Sequence, residues 1–289
     1  MSVSTKRWRV PCAILALIFT GGGILTPLIV EYRIKHTPDA LLFRAIEDGS
    51  VERVRYWLQR GANPNAIGEP SRKTGLVFWY SRIKSPEYLD ETTPLMHAVD
   101  SPPIVQLLLN SGADPHGVNE NALLFATRRD DAESLRLLLK TPFPSAALQS
   151  ALSTAVWCGY RDLFPILLQH GARINGASLY GMAPLFEAMM VRRWSDAEYL
   201  LSLGADINLP ETKEGQTALV RVTLIGSVES VSWLLKHKAK VNLRDKRGYT
   251  ALYYARRFKR EGRGAKSAFD ADRNYSAVAA ALQKAGGVE

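Results

Sequence analysis

The sequence predicts an all-α protein: a solenoid of about seven helix-turn-helix repeats with hairpin fingers, preceded by one N-terminal transmembrane helix. Three observations predict it. A six-residue frame recurs seven times, a small-residue turn follows most of its copies, and residues 10–30 carry no charge.

The N-terminal elements come first. Residues 1–9 are a basic flank with Lys6, Arg7 and Arg9. Residues 10–30, VPCAILALIFTGGGILTPLIV, are 21 uncharged residues, and about 20 apolar residues cross a bilayer. Basic residues precede the span, so the positive-inside bias puts the N-terminus in the cytoplasm and the rest in a periplasmic or extracytoplasmic space. The alternative is a signal peptide, with VPCAILALIF as its apolar stretch and Thr20, Gly21 and Gly22 near the cut, giving a protein secreted to the periplasm. Against cleavage, apolar residues resume at Ile24 and run to Val30. A buried helix of the folded domain is disfavoured by Gly21-Gly22-Gly23, since each Gly costs about 1 kcal/mol in a soluble helix. Residues 31–39 read as a linker.

The repeat domain spans residues 40–287. Its frame reads ALLFRA (40–45), TPLMHA (93–98), NALLFA (121–126), SALSTA (150–155), APLFEA (183–188), TALVRV (217–222) and TALYYA (250–255). The third place is Leu each time: Leu42, Leu95, Leu123, Leu152, Leu185, Leu219 and Leu252, at spacings of 53, 28, 29, 33, 34 and 33. Aliphatic runs follow, such as VQLLLNSGADP (105–115), FPILLQHGARIN (164–175) and AEYLLSLGADIN (197–208). They end in Gly61-Ala62, Gly112-Ala113, Gly171-Ala172 and Gly204-Ala205, with Lys238-Ala239 standing in later. Each repeat therefore reads as a short helix, a turn, and a second helix closed by a left-handed cap, then an extended hairpin. No repeat can bury its Leu face alone, so the repeats must stack.

This pattern resembles the ankyrin-repeat family over roughly residues 38–287. The resemblance implies a solenoid that binds other proteins through a concave surface and fingers, without cofactors. One departure is visible. Where the family's T-P-L-H pattern has His, this chain has Phe43, Met96, Leu124, Ser153, Phe186, Val220 or Tyr253. His97 sits one place later, so the family's His hydrogen bond at the hairpin base is not expected in its usual form.

Two insertions interrupt the repeats, at 66–91 and 257–274. The first holds GLVFWYSRIK (75–84), whose Phe78, Trp79 and Tyr80 fall on a long finger. Exposed aromatic residues there read as a partner-binding site, because Trp and Tyr dominate interface hot spots. The rival reading is a flap that caps the solenoid. Membrane-surface insertion is a third, with Arg72, Lys73, Arg82 and Lys84 alongside. On the first helices, Phe125, Arg128, Trp157, Glu187 and Met190 fall at outward places, and Phe125, Trp157 and Met190 extend the partner-binding hypothesis. Trp157 packed between helices is the competing reading, and Cys158 reads as a small core residue. The second insertion brings a basic patch of Arg256, Arg257, Lys259, Arg260, Arg263 and Lys266. It reads as a solvated loop or as a site for phosphates or an acidic protein face.

Composition narrows the function. The formal charge is +9; Lys6, Arg7, Arg9, Arg33 and Lys35 against Glu31 supply +4 of it, leaving +5 for residues 36–289. That modest excess favours anionic partners without demanding nucleic acid. Cys12 and Cys158 are too few for a disulfide framework or a metal cluster. The five His are scattered without metal-ligand spacing, and Gly262–Gly264 lacks the context of a phosphate loop. No activating environment can be argued for a Cys158–His170 pair, and Asp100, Asp130 and Asp131 read as turn and helix-start residues. The expectation is a monomeric, non-catalytic adaptor with no cofactor and no metal, held at the membrane and facing away from the cytoplasm. The alternatives are an immunity or inhibitor protein that neutralises a secreted toxin, and an anionic-lipid or polyanion binder.

Overall fold

The computed structural model describes residues 37–68, 92–117, 122–179, 181–210, 213–261 and 274–289. Residues 10–30 and the 75–84 aromatic stretch lie outside the described residues, as do Arg263 and Lys266. Among the described residues, no helix is long and apolar enough to cross a membrane. The chain divides into two compact units, Met1–Ala122 and Leu123–Glu289.

The described part of the first unit holds two helix pairs: α1 (Pro38–Glu47) with α2 (Val51–Gln59), and α3 (Pro94–His97) with α4 (Pro102–Asn110). The second unit holds five pairs. They are α5 (Ala122–Arg128) with α6 (Ala132–Leu138), α7 (Ser145–Cys158) with α8 (Leu163–Gln169), α9 (Pro184–Met190) with α10 (Trp194–Ser202), α11 (Ala218–Ile225) with α12 (Val228–Lys236), and α13 (Ala251–Arg260) with α14 (Tyr275–Lys284). Each pair is one repeat of the sequence frame. All seven frame leucines are buried, at 0–3% exposure. Burying a Leu side chain is worth about 1.5–3 kcal/mol, so this one place in the frame anchors every repeat.

Local chemistry sets the helix ends. Thr217 and Thr250 cap α11 and α13, their hydroxyls accepting the N–H groups of Val220 and Tyr253. Ser50, Asp131 and Ser227 do the same for α2, α6 and α12. Helices α2, α4, α8, α10 and α12 close on a left-handed residue: Gly61, Gly112, Gly171, Gly204 and, at φ 65°, Lys238. The following alanine N–H then bonds back to the helix, as Ala62 does to the Trp57 carbonyl and Ala239 to the Leu234 carbonyl. Those alanines are buried, which accounts for the recurring Gly-Ala pair.

Three boundaries differ from the sequence expectation. Helix α1 starts at Pro38, inside the assigned linker 31–39, because the Thr37 hydroxyl caps the Ala40 N–H and Pro38 fills the first helical turn. Helix α13 runs to Arg260, four residues into the assigned insertion 257–274. Helix α7 begins at Ser145, five residues before the SALSTA frame, directly after Pro144. The frame marks where a helix packs; the cap or proline marks where it begins.

Candidate functional site

Helix α7 packs on α9 and α11 on α13. The Arg221 guanidinium lies over the Phe186 ring, 5.5 Å from its centre, and joins α9 to α11. At the turns, the Tyr160 hydroxyl is 3.5 Å from the Arg128 carbonyl. The Arg193 side chain covers Gly159, where an added Cβ would overlap the guanidinium. The Asn274 N–H donates to the Gly226 carbonyl at 3.0 Å and the Tyr275 hydroxyl to the Leu224 carbonyl at 2.9 Å.

This arrangement leaves an apolar band in the open. Trp157 is 41% exposed, Met190 43% and Ile225 37%. Trp157, Met190 and Leu224 share the eighth place of the frame; Cys158, Val191 and Ile225 share the ninth. These positions end the first helix, after which the chain turns through Gly159, Arg192 and Gly226, all at positive φ. Ile225 joins this band although the sequence alone did not single it out; its place in the frame, beside Leu224, was the available signal.

Other expected site residues stand elsewhere. Phe125, at the fifth place, is half-buried with the Arg128 guanidinium 5.9 Å from its ring centre, so it does not join the open band. Glu187, expected outward, is fully buried: the fifth place of α9 faces α7, where the Ser153 hydroxyl donates to its Oε1 at 2.7 Å. Its Oε2 has no partner among the described residues. Cys158, expected in the core, is exposed, because the ninth place lies outside the helix–helix contact. The basic patch is partly neutralised. Arg256 pairs with Glu289 at 2.7 Å and Arg257 with Glu261 at 2.8 Å, while Lys259 and Arg260 are exposed.

The departure at the family's His place has a local answer in the first unit. His97 Nε2 lies 2.9 Å from the Thr92 hydroxyl, which itself donates to the Gly68 carbonyl at 2.7 Å. The hydroxyl proton is thus committed, so the imidazole donates from Nε2. A histidine one place late still ties the helix to the base of its hairpin, through Thr92 rather than Thr93.

The Asp245 carboxyl is held below its ordinary range. Burial pushes the Asp245 carboxyl up, but hydrogen bonds from the Tyr254 hydroxyl and from the Tyr249 and Arg247 N–H groups, with Gln216 adding to them, outweigh it. Burial, with the bond to Asp245, pushes Tyr254 up to about 12. These groups brace the turn before α13. The cleft between α2 and α4, about 480 Å³, is lined by Arg55, Leu58, Leu107 and Ser111 among others, with no acid or base for proton transfer. Among the described residues no group of His, Cys, Asp and Glu is placed to hold a metal.

Comparison with known proteins agrees with the fold. The family model described as ankyrin repeats (3 copies) matches residues 95–178 and 185–262, more than half of the chain. An ankyrin repeat protein of Acanthamoeba polyphaga mimivirus is 31% identical over 106 residues, 35% of this chain and 14% of that protein. An ankyrin repeat protein of Rickettsia felis is 34% identical over 76 residues, 26% of this chain and 25% of that protein. The chain thus spans a quarter or less of these relatives' lengths. Among solved structures, the ankyrin repeat domain of Bcl-3, a member of the IkappaB protein family, superposes with a TM-score of 0.61 at 24% identity, covering 85% of this chain and 98% of that one. The all-helical ankyrin-repeat solenoid expected from the sequence is borne out.

Proposed function

The chain belongs to the ankyrin-repeat family, whose repeats form protein–protein interaction modules, and we propose that it is a non-catalytic adaptor that binds another protein through the second unit. The observation that carries this reading is the open apolar band of Trp157, Met190 and Ile225 on consecutive repeats. Large apolar side chains that stay exposed at the ends of successive first helices mark an interaction surface rather than a core, and Trp is among the residues enriched at binding hot spots. The adaptor is monomeric and held at a membrane through residues 10–30, with its repeats on the extracytoplasmic side. Phe78, Trp79 and Tyr80 on the first insertion form a second contact. The ion pairs at Arg256 and Arg257 favour protein over polyanion as the partner.

Affinity capture from the native membrane fraction, with mass-spectrometric identification, tests it. Intact protein is compared with Trp157→Ala/Met190→Ala and with Phe78→Ala/Trp79→Ala/Tyr80→Ala, each checked for folding by circular dichroism. A partner lost from the folded first variant supports the reading, and one retained by both variants sinks it. If the captured partner is a secreted enzyme that loses activity on binding, the protein is an inhibitor of that enzyme rather than an adaptor.

A further inference from the structure

The charge of the repeat domain is unevenly placed. Residues 36–212 carry 16 basic and 20 acidic residues, whereas residues 213–289 carry 16 basic and seven acidic, so the whole basic excess lies after residue 212. Part of it sits in one turn. After α12, Lys236, Lys238 and Lys240 are exposed, while His237 is half-buried and Ala239 is buried. Every outward place of that turn is thus lysine. The turns after α2, α4, α8 and α10 hold Gln, Asn or Ser, then Gly, then Asn, Asp or Arg at these three places.

The middle lysine is held there against its own backbone preference. Lys238 takes φ 65° where those four turns have glycine, and a Cβ is strained in that region. Strain of this kind is kept where the side chain serves more than the fold. Among the described residues none of the three ammonium groups has an ion-pair or hydrogen-bond partner. Neighbouring charges are engaged. Glu198 faces His237 Nε2 at 3.5 Å, and Asp206, in the preceding turn, accepts the Asn208 N–H at 2.8 Å. Arg244 donates to the Gly248 carbonyl at 2.6 Å and Arg247 pairs with Glu214 at 3.4 Å, so the lysines carry the open charge of this stretch.

We propose that the turn after α12 docks an acidic segment of a partner protein, whose carboxylates meet Lys236, Lys238 and Lys240. The proposal rests on the binding-module reading above and adds a further contact and its chemistry. Lysine offers a point charge on a flexible stem, which suits carboxylate and phosphate alike, and the surroundings decide between them. A nucleic-acid strand is held by stacking on aromatic faces as well as by charge. The ring of Trp233, the aromatic residue nearest in sequence, is stacked by His237 at 3.9 Å and neighboured by Trp194 at 5.7 Å. A bilayer surface is entered by apolar side chains beside the basic ones, and residues 236–240 expose none. In the proposed orientation the repeats also face away from the anionic cytoplasmic leaflet. A protein segment needs neither feature. Alternate residues of a chain lie at most about 7 Å apart, the spacing of side chains on one face of an extended segment. Acidic residues at alternate places therefore meet the three lysines in turn.

The test uses the full chain in phosphatidylcholine nanodiscs and a labelled peptide of alternating Glu and Ser, about 12 residues long, with affinities read by fluorescence anisotropy. The peptide is expected to bind, and the same peptide carrying Gln in place of Glu is not. Lys236→Gln/Lys240→Gln weakens binding about fivefold. Lys259→Gln/Arg260→Gln, which removes the same charge from the end of α13, leaves it within about twofold. Lys238→Gly weakens binding about threefold while raising the thermal midpoint, because glycine relieves the left-handed strain. All these variants alter exposed positions, and circular dichroism confirms that they fold. Equal losses in the two double variants, an unchanged affinity in Lys238→Gly, or no peptide binding overturns the proposal. So does tighter, lysine-dependent binding of phosphatidylglycerol vesicles or of single-stranded DNA, which would name a lipid or a nucleic acid instead. A native partner captured through Trp157 and Met190 that leaves these lysines open removes only this proposal. A partner kept by Trp157→Ala/Met190→Ala, by contrast, counts against the apolar band and not against the lysines.

Discussion

The Asn208 side chain reaches from the turn after the fifth repeat into the turn after the sixth, where its Oδ1 accepts the Lys240 N–H at 2.7 Å. The bond recurs: Asn65 takes the Asp114 N–H at 2.6 Å, Asn175 the Asp206 N–H at 2.9 Å, and Asn242 the Val288 N–H at 2.8 Å. Each asparagine lies four residues after the left-handed residue of its own turn, so in four of the seven repeats one side chain ties the turn to the next.

Asn208→Ala is expected to cost about 1 kcal/mol, the net value of one such hydrogen bond, read by urea denaturation of the full chain. Asn208→Asp keeps the acceptor and should cost less. At Asn242 the amide nitrogen also donates, to the Gly286 carbonyl at 3.0 Å. Asn242→Asp therefore loses a bond and should cost more than Asn208→Asp. Equal costs at the two sites would show that the donor bond contributes nothing.

Lys238 occupies the left-handed place that glycine fills in five other turns, Gly286 among them. An L-residue with a side chain pays about 1–2 kcal/mol there, so Lys238→Gly should stabilise by about 1 kcal/mol. Gly204→Ala, at φ 97°, should destabilise by a similar amount. Thermal denaturation of the pair is the check, and shifts of the same sign would refute the argument.

The buried Ser153–Glu187 pair predicts an asymmetry. Ser153→Ala removes the one hydrogen bond that the Glu187 carboxyl makes among the described residues and should cost about 2 kcal/mol, the penalty for a buried polar group left bare. Glu187→Gln keeps an oxygen for Ser153 and removes the charge, and is expected to be neutral or stabilising. Denaturant midpoints of the two variants decide it; a Gln variant worse than the Ala variant would mean the charge itself is needed.

Tyr254 and Asp245 predict how stability depends on pH. The Tyr254 hydroxyl donates to Asp245 Oδ2 at 2.6 Å. Asp245 is depressed in the folded state, so its contribution is complete above the unfolded carboxylate value of about 3.9 and is lost as pH falls through the lower folded value. Tyr254 is raised to about 12, so its contribution is complete below the unfolded value of 10.0 and is lost between there and about 12. Tyr254→Phe should cost about 2 kcal/mol at neutral pH, as a hydrogen bond to a charged group does. That cost should shrink as pH falls below about 3.9. Denaturation of both proteins at neutral and acid pH tests the sign.

Much of the fold was legible because its signal is local and repeated. The seven frame leucines and the Gly-Ala turns stand at fixed places, and all seven leucines are buried. Lys238 was legible for the same reason, since its place in the frame demands the left-handed turn it adopts. Helix starts were less so: Pro144 and Thr37 begin their helices ahead of the frame, through caps that the packing pattern does not encode. On the candidate face, Trp157 and Met190 were readable as outward places, whereas Cys158 and Glu187 exchanged the roles their chemistry suggests.

By itself, then, the sequence determined the repeat, its number and its register, because each repeat contacts only its neighbours and a local pattern repeated along the chain suffices to specify such a stack. The tertiary structure alone decided which polar groups are buried and which apolar ones stay open. Glu187 is buried because α7 sets Ser153 opposite it. Trp157 and Met190 stay exposed because, among the described residues, no neighbouring helix covers them, and Arg256 is spent on Glu289, 33 residues away. Burial is a property of what the adjoining repeat brings to a position, and that partner is not written in the residue or in its own helix.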